Sequence, residues 1–316
     1  MKRLSSLMFV GLGVGLAVPA AASYELLLVL DGSTKSVHRF DPQSGAYFGS
    51  FGGGWLNNPQ SMVMDQSSNT CYIRDTQAGA GIGDIIAFNY NTGERVTGGG
   101  GGMAFQGSPV QMARRAVNGD FYTSGTSDVY QYNSSGTFIS SRLGLNDLGG
   151  LCIGPDGNLY ITNTVSNIVF KYSTSVPIGS ASILSSSAAT TDFGDGQLTF
   201  GGSSVRGYFA TAFPRVMSFD PNTYAFTQIN MTNFSATKGV AFGHDDVLYT
   251  VGVDSAGTAG IVQRFDTRLG VLGGTFGSGV LVNPLSAACV VAPEPITMIG
   301  FGLGISLLVI RRRKKS

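Results

Sequence analysis

The chain has 316 residues, 20 lysines and arginines, 19 aspartates and glutamates, and a formal net charge of +1. Removing the cations at 2–3 and 311–315, together with Glu294, leaves 13 cations and 18 anions, a net charge near −5 for the rest of the chain. A mildly acidic body without basic clusters argues against nucleic acid and anionic membrane surfaces as partners, and the 46 glycines favour strands and tight turns over helices.

The first 22 residues have the composition of a secretory signal peptide. Lys2 and Arg3 form a positive start, residues 7–18 form an apolar run, and the small residues at 20–22 suit cleavage near Ser23. No cysteine lies near that position, which excludes lipoprotein processing. We therefore expect export through the inner membrane and cleavage by signal peptidase.

Two landmarks alternate along residues 23–292. The first is a strand of apolar and tyrosine residues that ends in a small polar residue, and it occurs at 28–31, 71–75, 121–124, 159–163, 208–211 and 248–251. The second is an aromatic residue followed by a turn, and it occurs at 40–42, 90–93, 132–136, 172–173, 219–221 and 265–266. The turns recur about every 40 to 50 residues, which is the length of a four-stranded propeller blade.

Each repeat can be written as four short strands, named a to d. The repeats predict an all-β, six-bladed β-propeller over residues 23–292. The chain begins on a strand b near Tyr24 and ends on a strand a at 285–291, because Pro284-Leu285-Ser286 matches Pro59-Gln60-Ser61. The first blade is then closed by the N- and C-terminal strands, which removes two exposed edges. A seven-bladed propeller with one degenerate blade is the alternative, and 177–205 is the stretch that leaves it open.

The repeat pattern resembles six-bladed propellers of the NHL and strictosidine synthase-like type. The resemblance is at the level of the repeat and implies the fold. Some six-bladed propellers are metal-dependent lactonases that hold a calcium ion in the central channel with carboxylates and an asparagine. Asp31, Asp75 and Asn163 end successive b strands and could face such a channel, although Ser124 and Thr211 take the equivalent positions in other blades. A metal-dependent hydrolase or lactonase, with Ca²⁺ as its cofactor, is therefore the alternative function.

Loop chemistry separates the two ends of the predicted propeller. The a–b and c–d connections are short turns, whereas the d–a and b–c connections are long and individual, including 52–58, 77–83, 98–107, 186–197 and 254–259. Both long sets leave the same end of each blade and form one surface, the long-loop face. Function usually resides in variable loops on a rigid scaffold. The ligand-binding candidates on this face are Trp55, Asn57, Asn58, Asp75 and Asn163. Trp55 is the only tryptophan, and packing over the blade beneath it is an equal alternative.

Other chemistry-bearing residues give no catalytic or metal-binding pattern. His38 and His244 stand alone beside turns, and the glycine run at 98–102 is followed by no Lys-Ser/Thr phosphate-binding motif. The cysteines at 71, 152 and 289 occupy apolar strand positions and match no metal-site spacing. We expect them to be buried apolar residues, with no cofactor and no catalytic residue in the propeller.

The last 24 residues combine Pro293-Glu294-Pro295, an apolar run at 296–310 and the cations Arg311, Arg312, Arg313, Lys314 and Lys315. This order resembles the PEP-CTERM sorting tail of Gram-negative bacteria, which an exosortase-type membrane protease recognises. Fifteen helical residues rise about 22 Å, less than the roughly 30 Å hydrocarbon core, and suit a temporary stop. The cations hold the C-terminus in the cytoplasm. An ordinary C-terminal anchor is the alternative.

The domain organisation that follows is a signal peptide at 1–22, a propeller at 23–292 and a sorting tail at 293–316 with one transmembrane helix. The resemblance implies that the protein is transiently anchored and then displayed on the cell surface or in the exopolysaccharide matrix. The predicted function is that of a non-catalytic binding or structural protein, whose partner is exopolysaccharide or another exported protein.

Overall fold

The computed structural model describes residues 23–76, 83–96, 103–105, 111–125, 127–188, 193–243 and 245–293. The predicted signal peptide, the predicted transmembrane segment at 296–310 and the basic end lie outside these ranges, as does His244. Among the described residues, no helix is long and apolar enough to cross a membrane.

The first eleven strands follow the order that the two landmarks predict. They are β1 (Ser23–Asp31), β2 (Ser36–Phe40), β3 (Tyr47–Phe51), β4 (Pro59–Asp65), β5 (Thr70–Thr76), β6 (Gly83–Asn89), β7 (Met103–Phe105), β8 (Gln111–Arg114), β9 (Phe121–Ser124), β10 (Val129–Tyr132) and β11 (Phe138–Arg142). The polar strand-end residues Asp31, Ser124 and, below, Asn163 each close a strand b.

The second half of the chain continues the same pattern. Its strands are β12 (Leu148–Ile153), β13 (Leu159–Asn163), β14 (Ile168–Tyr172), β15 (Ile183–Ala188), β16 (Leu198–Gly201), β17 (Arg206–Ala210), β18 (Arg215–Phe219), β19 (Phe226–Asn230), β20 (Phe234–Phe242), β21 (Val247–Asp254), β22 (Gly260–Asp266), β23 (Val271–Phe276) and β24 (Pro284–Pro293). A short 3-10 helix, Ile178–Ser180, lies between β14 and β15.

The described strands form six four-stranded antiparallel sheets, and the all-β six-bladed propeller is confirmed. Blades 2 to 6 are β4–β7, β8–β11, β12–β15, β16–β19 and β20–β23, each in chain order from the inside outwards. The seven-blade alternative is wrong, because the ambiguous stretch 177–205 supplies the outer strand β15 of blade 4 and the inner strand β16 of blade 5.

The expectation of a long connection over 98–107 is also wrong in part. Strand β7 lies there and pairs with the start of β6, as Gly83 with Phe105 and Ile85 with Met103.

Blade 1 is closed by the two ends of the propeller, with the strand order β24-β1-β2-β3. The Asp31 carboxylate secures this closure. Its Oδ1 accepts hydrogen bonds from the Ser33 and Thr34 amides, and its Oδ2 accepts them from the Val282 and Asn283 amides at 2.7 and 2.9 Å. One side chain therefore joins the first strand of the propeller to the segment that leads into its last strand.

The hydrophobic core lies between neighbouring blades. One buried cluster joins Tyr122 and Val129 of blade 3 to Leu159 and Ile161 of blade 4, and equivalent clusters join the later pairs of blades. The aromatic landmark at the end of strand c is buried in every blade, as Phe40, Tyr90, Tyr132, Tyr172, Phe219 and Phe265. Buried aromatic side chains of this size remove about 150 to 250 Å² each from water. Burial between blades therefore fixes how each sheet sits against the next.

Candidate functional site

The register of each blade places the long connections at one end. In blade 2, Asp75 pairs with both Pro59 and Asp84, so the start of β4, the end of β5 and the start of β6 lie together. At the other end, Asp65 and Asn89 pair with Thr70. The d–a and b–c connections therefore share the long-loop face, while the a–b and c–d turns form the opposite, short-turn face.

The loop between β3 and β4 presents the only tryptophan to solvent. Gly52 and Gly54 adopt φ angles of +85° and +84°, a left-handed conformation that favours glycine. This turn buries Leu56 and leaves Trp55 with 54% of its surface exposed. The Arg95 guanidinium carbon lies 4.7 Å from the centroid of the Trp55 rings, a cation–π contact that supports the exposed face. Trp55 therefore keeps 54% of its surface exposed while its ring contacts Arg95 of blade 2, and contact of Trp55 with a ligand stays a prediction.

Asp75 holds this loop on its blade. Its two carboxylate oxygens accept hydrogen bonds from the Asn57 and Asn58 amides at 2.6 and 2.5 Å. The Asn58 side chain donates to the Thr76 hydroxyl at 2.6 Å. Asp75 is 1% exposed, whereas the Asn57 and Asn58 side chains are exposed. The structure therefore brings Trp55, Asn57 and Asn58 together at the surface, with Asp75 as the buried support of their backbone.

Asn163 belongs to a different blade and has the same supporting geometry as Asp75. It ends β13, is 3% exposed, and donates through its amide nitrogen to the Leu145 and Asn146 carbonyls. Its Oδ1 accepts a hydrogen bond from the Ser166 amide at 2.7 Å. The structure does not bring Asn163 to the Trp55 loop, and both Asp75 and Asn163 are engaged by the backbone of their own blades. Contact of these two residues with a ligand stays a prediction.

A small cavity of about 180 Å³ opens at the long-loop end of the central channel. Its wall is formed largely by residues at or near the start of inner strands from several blades, namely Gln60, Gln111, Asp195, Gly196, Lys238 and Leu285. Gln60 connects this cavity to the Trp55 loop, because its amide donates to the Asn58 side-chain oxygen at 3.0 Å. The sequence analysis missed these residues. The match between Pro59-Gln60 and Pro284-Leu285, at the start of strand a, could have revealed Gln60 and Leu285.

Gln197 fills the channel below this cavity. Its Oε1 accepts hydrogen bonds from the Ala287 amide at 2.9 Å and the Ser286 hydroxyl at 3.2 Å, and its Nε2 donates to the Ala287 carbonyl at 2.9 Å. The strands approach closely here, since a Cβ on Gly150 would lie 2.5 Å from the Gly196 carbonyl oxygen. The channel is therefore a packed core with a cavity at each end.

The lower cavity is larger, about 300 Å³, and most of the residues that line it are apolar. Met62, Met112, Leu151, Phe200 and Phe242 contribute to its wall. Cys152 and Cys289 also line it and are partly buried, while Cys71 is buried within blade 2, so the expectation of complete burial holds for Cys71 alone. Burial raises the pKa of the Cys152 thiol to about 12, which keeps it protonated at neutral pH.

The residues considered for a calcium site do not converge on the channel, so that expectation is corrected. Asp31, Asp75 and Asn163 each bond to backbone groups of adjacent connections instead, because a strand-end carboxylate or amide satisfies the polar backbone groups nearest to it. Within the described ranges, no group of three or more His, Cys, Asp or Glu side chains is arranged to hold a metal ion.

His38 is buried and shares one hydrogen bond with the Thr34 hydroxyl at 2.8 Å, in which either group can be the donor.

Comparison with solved structures shows the same fold in distant proteins. A chain in the crystal structure of a nidogen/laminin complex is 16% identical with a TM-score of 0.64, over 84% of this chain and 98% of that one. A protein of unknown function from Bacteroides caccae is 9% identical with a TM-score of 0.60, over 85% of this chain and 99% of that one. No protein-family model matches the chain, and no curated protein matches it. Similarity at these identities establishes the propeller fold.

Proposed function

We propose that the propeller is an exported, non-catalytic binding protein of the cell surface or exopolysaccharide matrix, and that it binds polysaccharide on the long-loop face. The observation that carries the proposal is the Trp55 loop. An exposed aromatic ring lies beside the exposed amides of Asn57 and Asn58, and Asp75 fixes the loop backbone. An aromatic face can stack on a sugar ring while neighbouring amides bond to its hydroxyls. Another exported protein is the alternative partner.

Pre-organisation favours this loop over other exposed residues. The cation–π contact from Arg95 and the two short bonds to Asp75 hold the loop in one conformation before a ligand arrives. Binding to an ordered loop loses less conformational entropy than binding to one that must be ordered at the same time. The cavity beside Gln60 extends the same surface towards the axis. Together they offer stacking and hydrogen bonding on one continuous face.

Trp55→Ala should weaken binding of the host's purified exopolysaccharide by about 30-fold, the effect of losing about 2 kcal/mol from an aromatic anchor. The fold should be unchanged, because the side chain is largely exposed. Titration calorimetry on residues 23–292 provides the measurement. Leu269→Ala is the matched control, since Leu269 is 72% exposed in a turn of the short-turn face. Loss of binding in Leu269→Ala with normal binding in Trp55→Ala would place the ligand on the opposite face.

We also propose that the two ends of the chain direct export and sorting. The signal peptide at 1–22 is removed by signal peptidase, and an exosortase-type protease recognises Pro293, Glu294 and Pro295 with the cations Arg311, Arg312 and Arg313. Support comes from the order of these segments in the sequence. Strand β24 reaches Pro293, so the propeller and the sorting motif are directly adjacent in the chain.

Intact-mass measurement of the protein isolated from its native cells tests the sorting proposal. The mature species should lack residues 1–22 and about the last 20 residues. A mature species that retains residues 311–315 would show instead that the tail is a permanent anchor. This outcome would leave the polysaccharide-binding proposal untouched, because the two rest on different segments.

A further inference from the structure

One arginine is buried in the interface between blades 2 and 3 without a protein partner. Arg74 is 0% exposed, and none of its three guanidinium nitrogens has a hydrogen-bond partner among the described residues. Burial lowers the pKa of Arg74 to about 10, with Asp75 and Tyr132 opposing the shift, so the group stays charged at neutral pH. A buried charge without a partner is strongly unfavourable.

The repeat shows that the fold does not require an arginine at this position. The residue before the polar strand end is Leu30 in blade 1, Thr123 in blade 3, Thr162 in blade 4 and Ala210 in blade 5. All of these side chains are buried, and none carries a charge. A small or apolar residue therefore satisfies this position in other blades, and the charge in blade 2 needs a separate explanation.

Arg74 faces blade 3, together with two further unpartnered groups. Tyr72, two residues earlier in β5, has its ring centroid 5.0 Å from that of Phe121 in blade 3. Because alternate residues share a strand face, Arg74 faces blade 3 and Thr123, two residues after Phe121, faces blade 2. Ser61 pairs with Arg74 in the register of β4 and β5. The hydroxyls of Ser61 and Thr123 are buried and have no hydrogen-bond partner among the described residues.

No carboxylate whose side chain the structure describes accepts a hydrogen bond from this arginine. The Asp75 side chain lies on the other strand face and accepts the Asn57 and Asn58 amides. The segments 77–82, 97–102 and 106–110, which follow strands of blade 2, contain no aspartate or glutamate, and Asp192 follows the last strand of blade 4. The guanidinium donors of Arg74 are therefore left for an anion from outside the propeller.

We propose that Arg74, Ser61 and Thr123 form a buried site for one carboxylate between blades 2 and 3, beneath the long-loop face. The planar guanidinium presents paired N–H donors that match the two oxygens of a carboxylate, and the two hydroxyls can donate to the same oxygens. A carboxylate brings one negative charge into the interface, whereas sulfate or phosphate brings up to two and so has a larger desolvation cost. The chemistry thus selects a monovalent carboxylate over an inorganic dianion.

Thermal unfolding of the full-length protein in chloride, acetate, glucuronate and sulfate at matched ionic strength tests the site. Acetate should raise the melting temperature with the logarithm of its concentration, by about 5 °C at roughly 20 times its Kd, because it binds the folded state alone. Sulfate should have less effect. Glucuronate tests the size of the site. A rise in melting temperature like that in acetate would show that a sugar acid can enter, and no rise would show that only small carboxylates do. Equal melting temperatures in chloride and acetate would overturn the proposal.

Arg74→Met removes the charge and keeps the length of the side chain. This variant should melt above the wild type in chloride and should show no response to acetate. Arg142→Met is the matched control, since Arg142 donates to the Ala181 carbonyl at 2.7 Å and should retain the acetate response. Thr123→Val is a milder change. It should lower the affinity for acetate about tenfold, as expected when one hydrogen bond to a charged group is lost. An acetate response in Arg74→Met equal to that of the wild type would show that the anion binds elsewhere.

Discussion

Single polar residues at the ends of the b strands hold the long connections of this propeller in place. Asp31 and Asp75 accept backbone amides from the segment that precedes the neighbouring inner strand. Asn163 instead donates hydrogen bonds, through its side-chain amide, to backbone carbonyls of the preceding connection. The small polar residue of the first landmark therefore has a structural role, and in blade 2 it holds a loop whose residues Trp55 and Asn57 are exposed.

Asp31→Asn should destabilise the propeller by about 3 kcal/mol or more. The substitution replaces a charged acceptor of four backbone amides with a group that has one acceptor oxygen and an NH₂ facing amide donors. Urea unfolding followed by circular dichroism measures the change. Asp220→Asn is the control, because Asp220 accepts amides only within its own exposed turn. Equal midpoints for the two variants would show that closure does not depend on Asp31.

Val205→Gly should stabilise the propeller by about 1 kcal/mol. Val205 has φ +49°, a conformation that is strained for a β-branched residue, and it is 42% exposed, so little packing is lost. The same turn position holds Gly119 in blade 3 and Gly157 in blade 4, with φ +75° for both. Gly157→Val is the reciprocal variant. A Cβ there meets no atom within 4 Å, so the expected loss of stability comes from backbone strain alone. Denaturant midpoints that shift in the same direction would contradict this reading of the turn.

At the scale of elements, the sequence predicts most strands because each blade repeats the same buried positions. The landmarks locate both the aromatic end of strand c and the entry of the chain on a strand b. Strand β7 was missed because its three residues lie among glycines, and only pairing with β6 makes them a strand. The candidate site was predicted in part. The sequence Gly-Gly-Gly-Trp indicates an exposed loop. It does not show that both Asp75 carboxylate oxygens accept backbone amides of that loop. Nor does it show that Gln60 lines a cavity together with residues of other blades.

Gly150→Ala tests how closely the inner strands pack around the axis. A Cβ at this position would lie 2.5 Å from the Gly196 carbonyl oxygen and 2.7 Å from the Leu198 amide nitrogen, both of them backbone atoms. The strands must move apart, and overpacking of this kind commonly costs about 1 to 3 kcal/mol. Gly274→Ala, in the outer strand β23, meets nothing within 4 Å and should be tolerated. Thermal melting of the two variants compares them directly, and equal melting temperatures would argue against a packed axis.

At the scale of the whole molecule, the propeller is a ring of sheets in which each interface depends on both neighbours. Residues Glu25–Ala292 form one compact unit. The order β24-β1-β2-β3 means that the two ends of this unit meet in one blade. Loss of one inner strand would expose two sheet surfaces and an edge at once.

Deletion of residues 285–291 should therefore unfold the whole propeller rather than one blade. The deletion removes most of β24 and with it the packing of Ala287 against blade 6 and the bonds between Gln197 and the Ala287 backbone. Circular dichroism and a melting curve measure the loss. A deletion variant with a native spectrum and a cooperative melt near that of the wild type would show that the ring does not need its terminal strand.

The central claim is that this propeller binds polysaccharide without catalysis. The most direct test is titration of residues 23–292 with the host's purified exopolysaccharide, carried out in EDTA and repeated with calcium. We expect saturable heats with the same affinity in both conditions, because the proposed binding surface consists of the Trp55 ring and neighbouring amides, which need no metal ion. Absence of binding in either condition would contradict the claim. So would continuous heat release that begins only when calcium is added, since that is the behaviour of a metal-dependent hydrolase.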